Sequence, residues 1–206
     1  KIIQYINIKI NRDFEKNFKI LDIYIKNNSN SQFQICFCIK FLGNKIEIEK
    51  KITQYLFSLI KSLVLELDIN IVSCYYHLFQ KGLGLKDKEF KHFYGIPKLN
   101  ETIKIAGKKL EVVLSPYSFS RVNYPNSCLV YQTIYDLCTI YDLCKGESVR
   151  NKYLLFGRDI YFPIKMMELL KFSWTAITHC PITYKDVIDD IKVDDKCLFV
   201  KKKDYL

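Results

Sequence analysis

The side chains best suited to binding chemistry are concentrated in one short stretch, residues 117–123, which reads YSFSRVN. Its aromatic rings can stack on bases, and Arg121 can meet a phosphate. The apolar run at residues 110–114 is typical of a buried strand, and Ser115-Pro116 ends it because proline cannot donate to a ladder. A helix is predicted next, with Pro125 at a plausible first helical position. Its apolar and small residues recur at helical spacing, at Leu129, Val130, Thr133, Ile134 and Leu137. We therefore predict a binding loop held between a strand and a helix.

The cysteines and histidines do not have the spacing of a metal site. Cys36 and Cys38 alternate within an apolar run, and Cys138 and Cys144 are too far apart for a C-x-x-C pair. The three histidines, His77, His92 and His179, add no ligand spacing to them. We predict that all eight cysteines are reduced and mostly buried. That points to an intracellular, reducing compartment, cytoplasmic or mitochondrial.

The first half of the chain has the pattern of a small α+β layer. Turn residues at 27–31 separate two strands of a predicted hairpin, and a long amphipathic helix with apolar residues three and four apart follows. The predicted elements are strands at residues 1–10, 17–26, 34–41 and 69–78 and a helix at 48–67. One helix covering a sheet is the expected architecture.

Composition favours a polyanionic partner, most simply RNA. The net charge is +10 and the pI about 9.1, with 49% hydrophobic residues in 206. A lysine bias from an AT-rich genome is the alternative explanation. The loop at residues 79–93 is either a phosphate-contacting element, through Lys81, Lys86, Lys88 and Lys91, or a solvated variable loop. No apolar run approaches the roughly 20 residues of a membrane span, so no transmembrane segment is expected.

Two motifs carry a resemblance to a known family. LSPYSFSRVN followed by LVYQTIYDL resembles the RNA uracil-5-methyltransferase family, S-adenosylmethionine (SAM)-dependent enzymes that make 5-methyluridine in tRNA and rRNA. Their motif reads roughly S-P-x-S/A-F-F-Q-x-N. It is matched here by Ser115, Pro116, Phe119, Val122 and Asn123. Ser120 replaces the second Phe, and Arg121 replaces the Gln that contacts SAM in the family.

The order of the elements extends this resemblance over about half of the chain. Segments 72–78 and 94–119 take the places of a family strand and of the segment leading into the S-P motif. The resemblance implies an α/β fold class. A small α+β RNA-facing central domain (1–109) would precede a reduced Rossmann-like, class I SAM-methyltransferase domain (110–206).

The resemblance also implies a cofactor cleft, in degenerate form. Residues 141–148 stand where the family has a strand end and glycine-rich loop, but Glu147 or Ser148 fills one glycine position. Residues 153–159 look like the next strand, with Asp159 as its acid, and Asp186 takes the adenine-side position in an acidic turn. The cleft would comprise Phe119, Arg121, Asn123, Asp142, Gly146, Asp159 and Asp186. Residues 149–152 are too few for the first crossover helix, so no bound cofactor is expected.

The catalytic residues of the family are not found. Uracil methylation at C5 needs a cysteine thiolate and a base, which the family carries in an S-C-N motif after D-P-P-R and in a later Glu. Neither motif follows Ile191, and Cys197 lies in a predicted terminal strand as a packed or surface thiol. No catalytic residue is predicted.

Three functions remain open. The first is a degenerate scaffold that binds RNA or a ribonucleoprotein, as a ribosomal component or assembly factor. Arg121 would there meet a phosphate or pair with an acid in the old cleft, and Phe119 would stack on a base or pack in the core. Its predicted RNA contacts are Lys81, Lys86, Lys88, Lys91, Tyr117, Arg121 and Tyr124. The second is an active SAM-dependent methyltransferase of which this sequence is only a part. The third is a protein-interaction subunit of a complex without RNA.

Overall fold

The structure, a computed structural model, describes residues 2–6, 17–80, 90–116, 124–145, 152–157, 160–191 and 197–200. The chain forms two compact units, Lys1–Leu99 and Asn100–Leu206. The domain boundary predicted from the sequence, between residues 109 and 110, stays a prediction.

The first unit contains a four-stranded mixed sheet and its covering helix. A short helix α1 (residues 2–6) precedes strands β1 (Phe18–Asn27) and β2 (Phe33–Phe41), an antiparallel hairpin. Helix α2 (Lys45–Leu67) leads to β3 (Ile71–Phe79), parallel to β2, and β4 (Lys91–Gly95) pairs antiparallel with β3. The strand order is β1-β2-β3-β4. The predicted hairpin, helix and third strand are confirmed. The predicted strand at residues 1–10 is wrong over residues 2–6, which are helical and bury Ile6.

The sequence explains the limits and packing of α2. Asn44 caps its first turn by accepting a hydrogen bond from the Ile46 N–H at 3.0 Å, and Asp68 ends it in a left-handed conformation. One stripe of the helix is buried, comprising Ile48, Ile52, Leu56, Leu59, Ile60 and Leu63. This stripe and alternate residues of β2 form a single core.

The second unit combines a hairpin with a parallel sheet. Strands β5 (Leu99–Ile105) and β6 (Lys108–Leu114) form the hairpin, and helix α3 spans Tyr124–Lys145. The remaining elements are β7 (Lys152–Phe156), α4 (Tyr161–Leu170), β8 (Ser173–Thr178), α5 (Pro181–Ile191) and β9 (Cys197–Phe199). Strands β7, β8 and β9 are parallel neighbours in that order.

The second unit confirms the predicted strand and helix on either side of residues 117–123. The strand at 110–114 and the helix that starts near Pro125 are both present, and Leu110, Val112 and Leu114 are buried. In this helix Leu129 and Leu137 are exposed, whereas Tyr131 is buried and its ring stacks on Phe162 of α4 at 5.4 Å.

Among the described residues, no helix is both long enough and apolar enough to cross a membrane.

Candidate functional site

The parallel sheet of the second unit defines a candidate ligand site by its topology. Helix α4 connects β7 to β8, and α5 connects β8 to β9. In open α/β sheets of this kind, ligands bind outside the carboxyl ends of the strands. Here that edge comprises Gly157 after β7, the end of β8 at Thr178, and Val200 after β9.

Gly157 occupies the turn that follows the first strand of this sheet. Its φ of 129° lies in a region that favours glycine, and its N–H donates to the Ile177 carbonyl at 3.1 Å. A Cβ added here would have no described atom within 4 Å. The glycine is therefore required by the backbone conformation rather than by close packing. Sequence reasoning missed Gly157, although a glycine between a predicted strand and a predicted helix was a usable signal.

Thr178 ends β8 at the same edge of the sheet. It is fully buried, and its Oγ1 accepts a hydrogen bond from the Cys180 N–H at 3.1 Å. In nucleotide-binding units of this topology, an Asp or Glu at a strand end binds the ribose. The family resemblance puts that acid at Asp159, after β7, and Asp159 lies outside the described residues. The absence of a bound cofactor such as SAM therefore stays a prediction.

Asp186 is the one predicted cofactor residue whose side chain is described. It lies within α5, so its prediction in an acidic turn is wrong: the chain is already helical from Pro181. It is 5% exposed, and its Oδ2 accepts a hydrogen bond from the Ser115 hydroxyl at 3.2 Å. Its role toward a cofactor stays a prediction.

A small polar network surrounds Asp186 between β6, α4 and α5. Lys165 Nζ of α4 donates to Asp190 Oδ2 of α5 at 2.7 Å, and the Tyr161 hydroxyl accepts from the Val113 N–H at 3.3 Å. Burial above all raises the pKa of Tyr161, so its hydroxyl stays protonated at neutral pH. These hydrogen bonds connect three elements and are buried or half-buried, so the network is suited to holding α4 and α5 against the end of β6.

The structure gives no side-chain positions for the other predicted cofactor residues. Residues Phe119, Arg121, Asn123, Gly146 and Asp159 lie outside the described residues, and only the backbone of Asp142 is described. The interpretation of 141–148 as a strand end and glycine loop is wrong over Tyr141–Lys145, because these residues form the last turn of α3. The cofactor roles of this set stay predictions.

Cys197 has the environment of a packed thiol. It lies in β9 and is 1% exposed, which confirms the prediction of a packed residue. Burial raises its pKa to about 11, so the thiolate required of a nucleophile is scarce at neutral pH. Within the described residues, no group of three His, Cys, Asp or Glu side chains is placed to hold a metal ion.

Lys91 is the one predicted RNA-contacting side chain that is described. It lies in β4, so the prediction that residues 79–93 are all loop is wrong from Lys91 onward. Its Nζ donates to Glu49 Oε1 at 2.6 Å, and the Tyr76 hydroxyl donates to the same oxygen at 2.7 Å. The Lys91 hydrogen bond is the main cause that lowers the pKa of Glu49. The charge of Lys91 is thus partly balanced inside the first unit, and its RNA role stays a prediction.

The remaining predicted RNA contacts cannot be assigned side-chain positions. Lys81, Lys86, Lys88, Tyr117 and Arg121 lie outside the described residues, and Tyr124 begins α3 without a described side chain.

A basic hairpin tip was missed by sequence reasoning. Ala106 and Gly107 form the turn between β5 and β6, with φ values of 48° and 75°. Such left-handed pairs match the twist of a tight hairpin. Lys104, Lys108 and Lys109 flank this turn and are all exposed. The usable signal was the apolar alternation on both sides of Ala-Gly. Three lysines at one tip form a surface suited to phosphate groups.

No protein-family model matches the sequence, and a search of curated proteins finds no match. Solved structures do match. The Pyrococcus abyssi tRNA (uracil-54, C5)-methyltransferase, in complex with S-adenosyl-L-homocysteine, is 11% identical with a TM-score of 0.58. That match covers 97% of this chain and 45% of that one. Trm5b from Pyrococcus abyssi (14% identity, TM-score 0.38, 94% and 49% of the two chains) and aTrm5 in complex with tRNALeu (13%, 0.40, 96% and 50%) are more distant.

The fold inference rests on the first of these three structures. The chain spans less than half of the length of that methyltransferase, and at 11% identity the likeness concerns the fold alone. The chain therefore has a mixed α/β fold similar to that of part of a SAM-dependent tRNA methyltransferase.

Proposed function

We propose that this chain is an RNA-binding scaffold with a methyltransferase-like fold that does not itself transfer methyl groups. Its partner is RNA or a ribonucleoprotein, in the role of a ribosomal component or assembly factor. The observation that carries the proposal is the group of three exposed lysines, Lys104, Lys108 and Lys109, at the β5–β6 turn of a chain with a net charge of +10.

Charge supports the RNA partner. A net charge of +10 attracts a polyanion, and the fold is similar to part of an enzyme whose name states a tRNA substrate. Binding would arise by neutralising phosphates, which makes affinity depend steeply on salt. The exposed lysines at the β5–β6 turn are the described side chains best placed to contribute.

The sequence and one buried residue support a function without SAM. In sequence, Glu147 or Ser148 fills a glycine position of the loop at 141–148, where the family resemblance expects the backbone to approach the cofactor. Cys197, in β9, is held as a thiol by burial.

A second candidate function is an active SAM-dependent tRNA or rRNA 5-methyluridine methyltransferase of which this chain is one part. It is favoured by the coverage, since 45% of the similar chain is matched and the remainder could carry missing chemistry. A third, a protein-interaction subunit without RNA, would explain the basicity as compositional bias.

Two titrations on the same purified chain separate these candidates. Fluorescence anisotropy with a labelled tRNA transcript measures affinity as salt is raised, and calorimetry with S-adenosylhomocysteine measures cofactor binding. Salt-sensitive RNA binding without heat from the cofactor is the expected pair of results. Binding of the cofactor would favour the methyltransferase, and no RNA binding even at low salt would favour the protein-interaction subunit.

A further inference from the structure

The parallel sheet of the second unit leaves one of its faces exposed. Leu154 is 67%, Phe156 63% and Leu198 50% exposed, and the strand register puts all three on the same face. Parallel sheets are normally covered on both faces, and their strands are apolar for that reason. This face therefore has the composition of a buried surface without being buried.

The edge of the sheet next to this face is also open. Among the described residues, β7 pairs with β8 on one side and with no strand on the other. Strand β9 forms the opposite edge, but it has three residues and is followed in sequence by three lysines, which discourage pairing. Strand β7 has five residues with its one lysine, Lys152, at the first position, and its apolar remainder, residues 153–156, is a template for another strand.

Helix α3 adds apolar surface beside the same strand. The Tyr153 hydroxyl of β7 donates to the Cys138 carbonyl of α3 at 3.3 Å, so the two elements are adjacent. Leu137 and Ile140, next to Cys138 along the helix, are both exposed. Tyr153 points to the opposite face of β7 from Leu154 and Phe156, so α3 lies on that opposite face.

The sequence of β7 is complementary to itself when paired antiparallel. With Leu154 opposite Leu154 of a second copy, Lys152 lies opposite Phe156, and all of these side chains are on one face. Lysine opposite an aromatic ring is favourable, whereas in-register parallel pairing would bring two Lys152 side chains together. A twofold axis through Leu154 would thus pair the backbone N–H and C=O groups along the two β7 edges and keep the two Lys152 side chains apart.

We propose that two copies of this chain associate through β7, forming a continuous six-stranded sheet across a twofold axis. The proposal is independent of RNA binding, because none of the lysines at the β5–β6 turn contributes to it.

The test is the molar mass of the full purified chain by light scattering over a wide concentration range, without RNA. The expected result is a concentration-dependent dimer. Leu154→Lys should weaken dimerisation by at least about tenfold, because two new charges would oppose each other across the axis. Leu198→Lys adds the same charge to the same face at the far edge and should leave the dimer intact. Circular dichroism verifies that both variants are folded.

A second readout reports on the edge itself. Hydrogen exchange at residues 152–156 should be slow in the dimer and faster in Leu154→Lys, with β8 unchanged. A wild-type chain that is monomeric at all concentrations overturns the proposal, and so does equal weakening by both lysine variants. Assemblies without a defined dimer mass also overturn it, since they indicate non-specific association of the exposed face.

Discussion

The four-stranded sheet of the first unit and the parallel sheet of the second unit differ in how completely they are buried. In the first unit, α2 covers β2 and β3, and Ile35, Phe37 and Ile39 have no exposed surface. In the second unit, β7 leaves alternate apolar residues exposed. The core against the four-stranded sheet is formed by elements of the first unit, whereas the parallel sheet leaves apolar side chains exposed to solvent.

The largest expected contrast concerns one phenylalanine in each sheet. Phe37→Ala should cost about 3–5 kcal/mol of unfolding free energy, because it leaves a cavity in a closed core. Phe156→Ala should cost less than about 1 kcal/mol in dilute protein, because most of that ring is already exposed. Urea denaturation followed by circular dichroism measures both. Equal losses would contradict the contrast between a closed and an open sheet.

The second contrast uses two glycines with nearly the same backbone conformation. Gly95 and Gly107 have φ values of 73° and 75°, but a Cβ at Gly95 would lie 2.0 Å from the Val72 carbonyl oxygen while one at Gly107 meets nothing within 4 Å. Gly107→Ala should cost about 1 kcal/mol from the left-handed conformation alone. Gly95→Ala should cost about 1–3 kcal/mol more, since β3 and the turn must move apart.

Thermal unfolding of the two alanine variants measures this difference. A Gly95→Ala protein as stable as Gly107→Ala would mean that the turn after β4 has more room than the structure gives it.

The third contrast concerns lysines of the two units. Replacing Lys104, Lys108 and Lys109 by Gln should lower tRNA affinity by about tenfold or more at low salt, and should reduce the slope of log affinity against log salt by up to about 0.9 per lost contact. Replacing Lys45, Lys50 and Lys51 of α2 removes the same charge from exposed positions of the first unit. Anisotropy titrations compare the two variants. Equal losses would indicate that net charge, rather than the hairpin tip, carries the binding.

The smallest contrast is a pH effect confined to the first unit. Hydrogen bonds from Lys91 and Tyr76 hold the pKa of Glu49 below its ordinary value of 4.5. A depressed carboxyl pKa contributes stability above that ordinary value, and the contribution is lost as pH falls through the folded-state pKa. Glu49→Gln should therefore cost about 0.5–1 kcal/mol at neutral pH, since the Lys91 side chain is half exposed, and almost nothing in strong acid.

Urea midpoints of wild type and Glu49→Gln at neutral and acid pH provide the measurement. A difference that persists unchanged in acid would show that the glutamate acts through packing rather than through its charge.

The elements of the first unit could be predicted because their signals are local. The turn after Asn27, the Asn44 cap and the apolar stripe of α2 each specify one element from neighbouring residues. Residues 2–6 were misassigned because the same isoleucines fit a strand or a helix. Packing of Ile6 into the core accompanies the helical form, and that contact is not visible in the sequence.

The candidate site was harder to predict because its partners are distant in sequence. Ser115 and Asp186 are separated by 71 positions, and their hydrogen bond depends on α5 lying against the end of β6. The residues of the predicted glycine loop looked like a strand end by similarity, but α3 continues through Lys145, so local helix formation prevailed. The Gly157 N–H donates to the Ile177 carbonyl, a contact that depends on the parallel pairing of β7 with β8.

The most direct test of the account is calorimetry of S-adenosylhomocysteine with the purified chain, using the similar Pyrococcus abyssi methyltransferase as a positive control. The account predicts heat of binding for the control and none for this chain, because Glu147 or Ser148 fills a glycine position of the loop that would approach the cofactor. Saturable, micromolar binding by this chain would contradict it, and would favour an active methyltransferase over an RNA-binding scaffold.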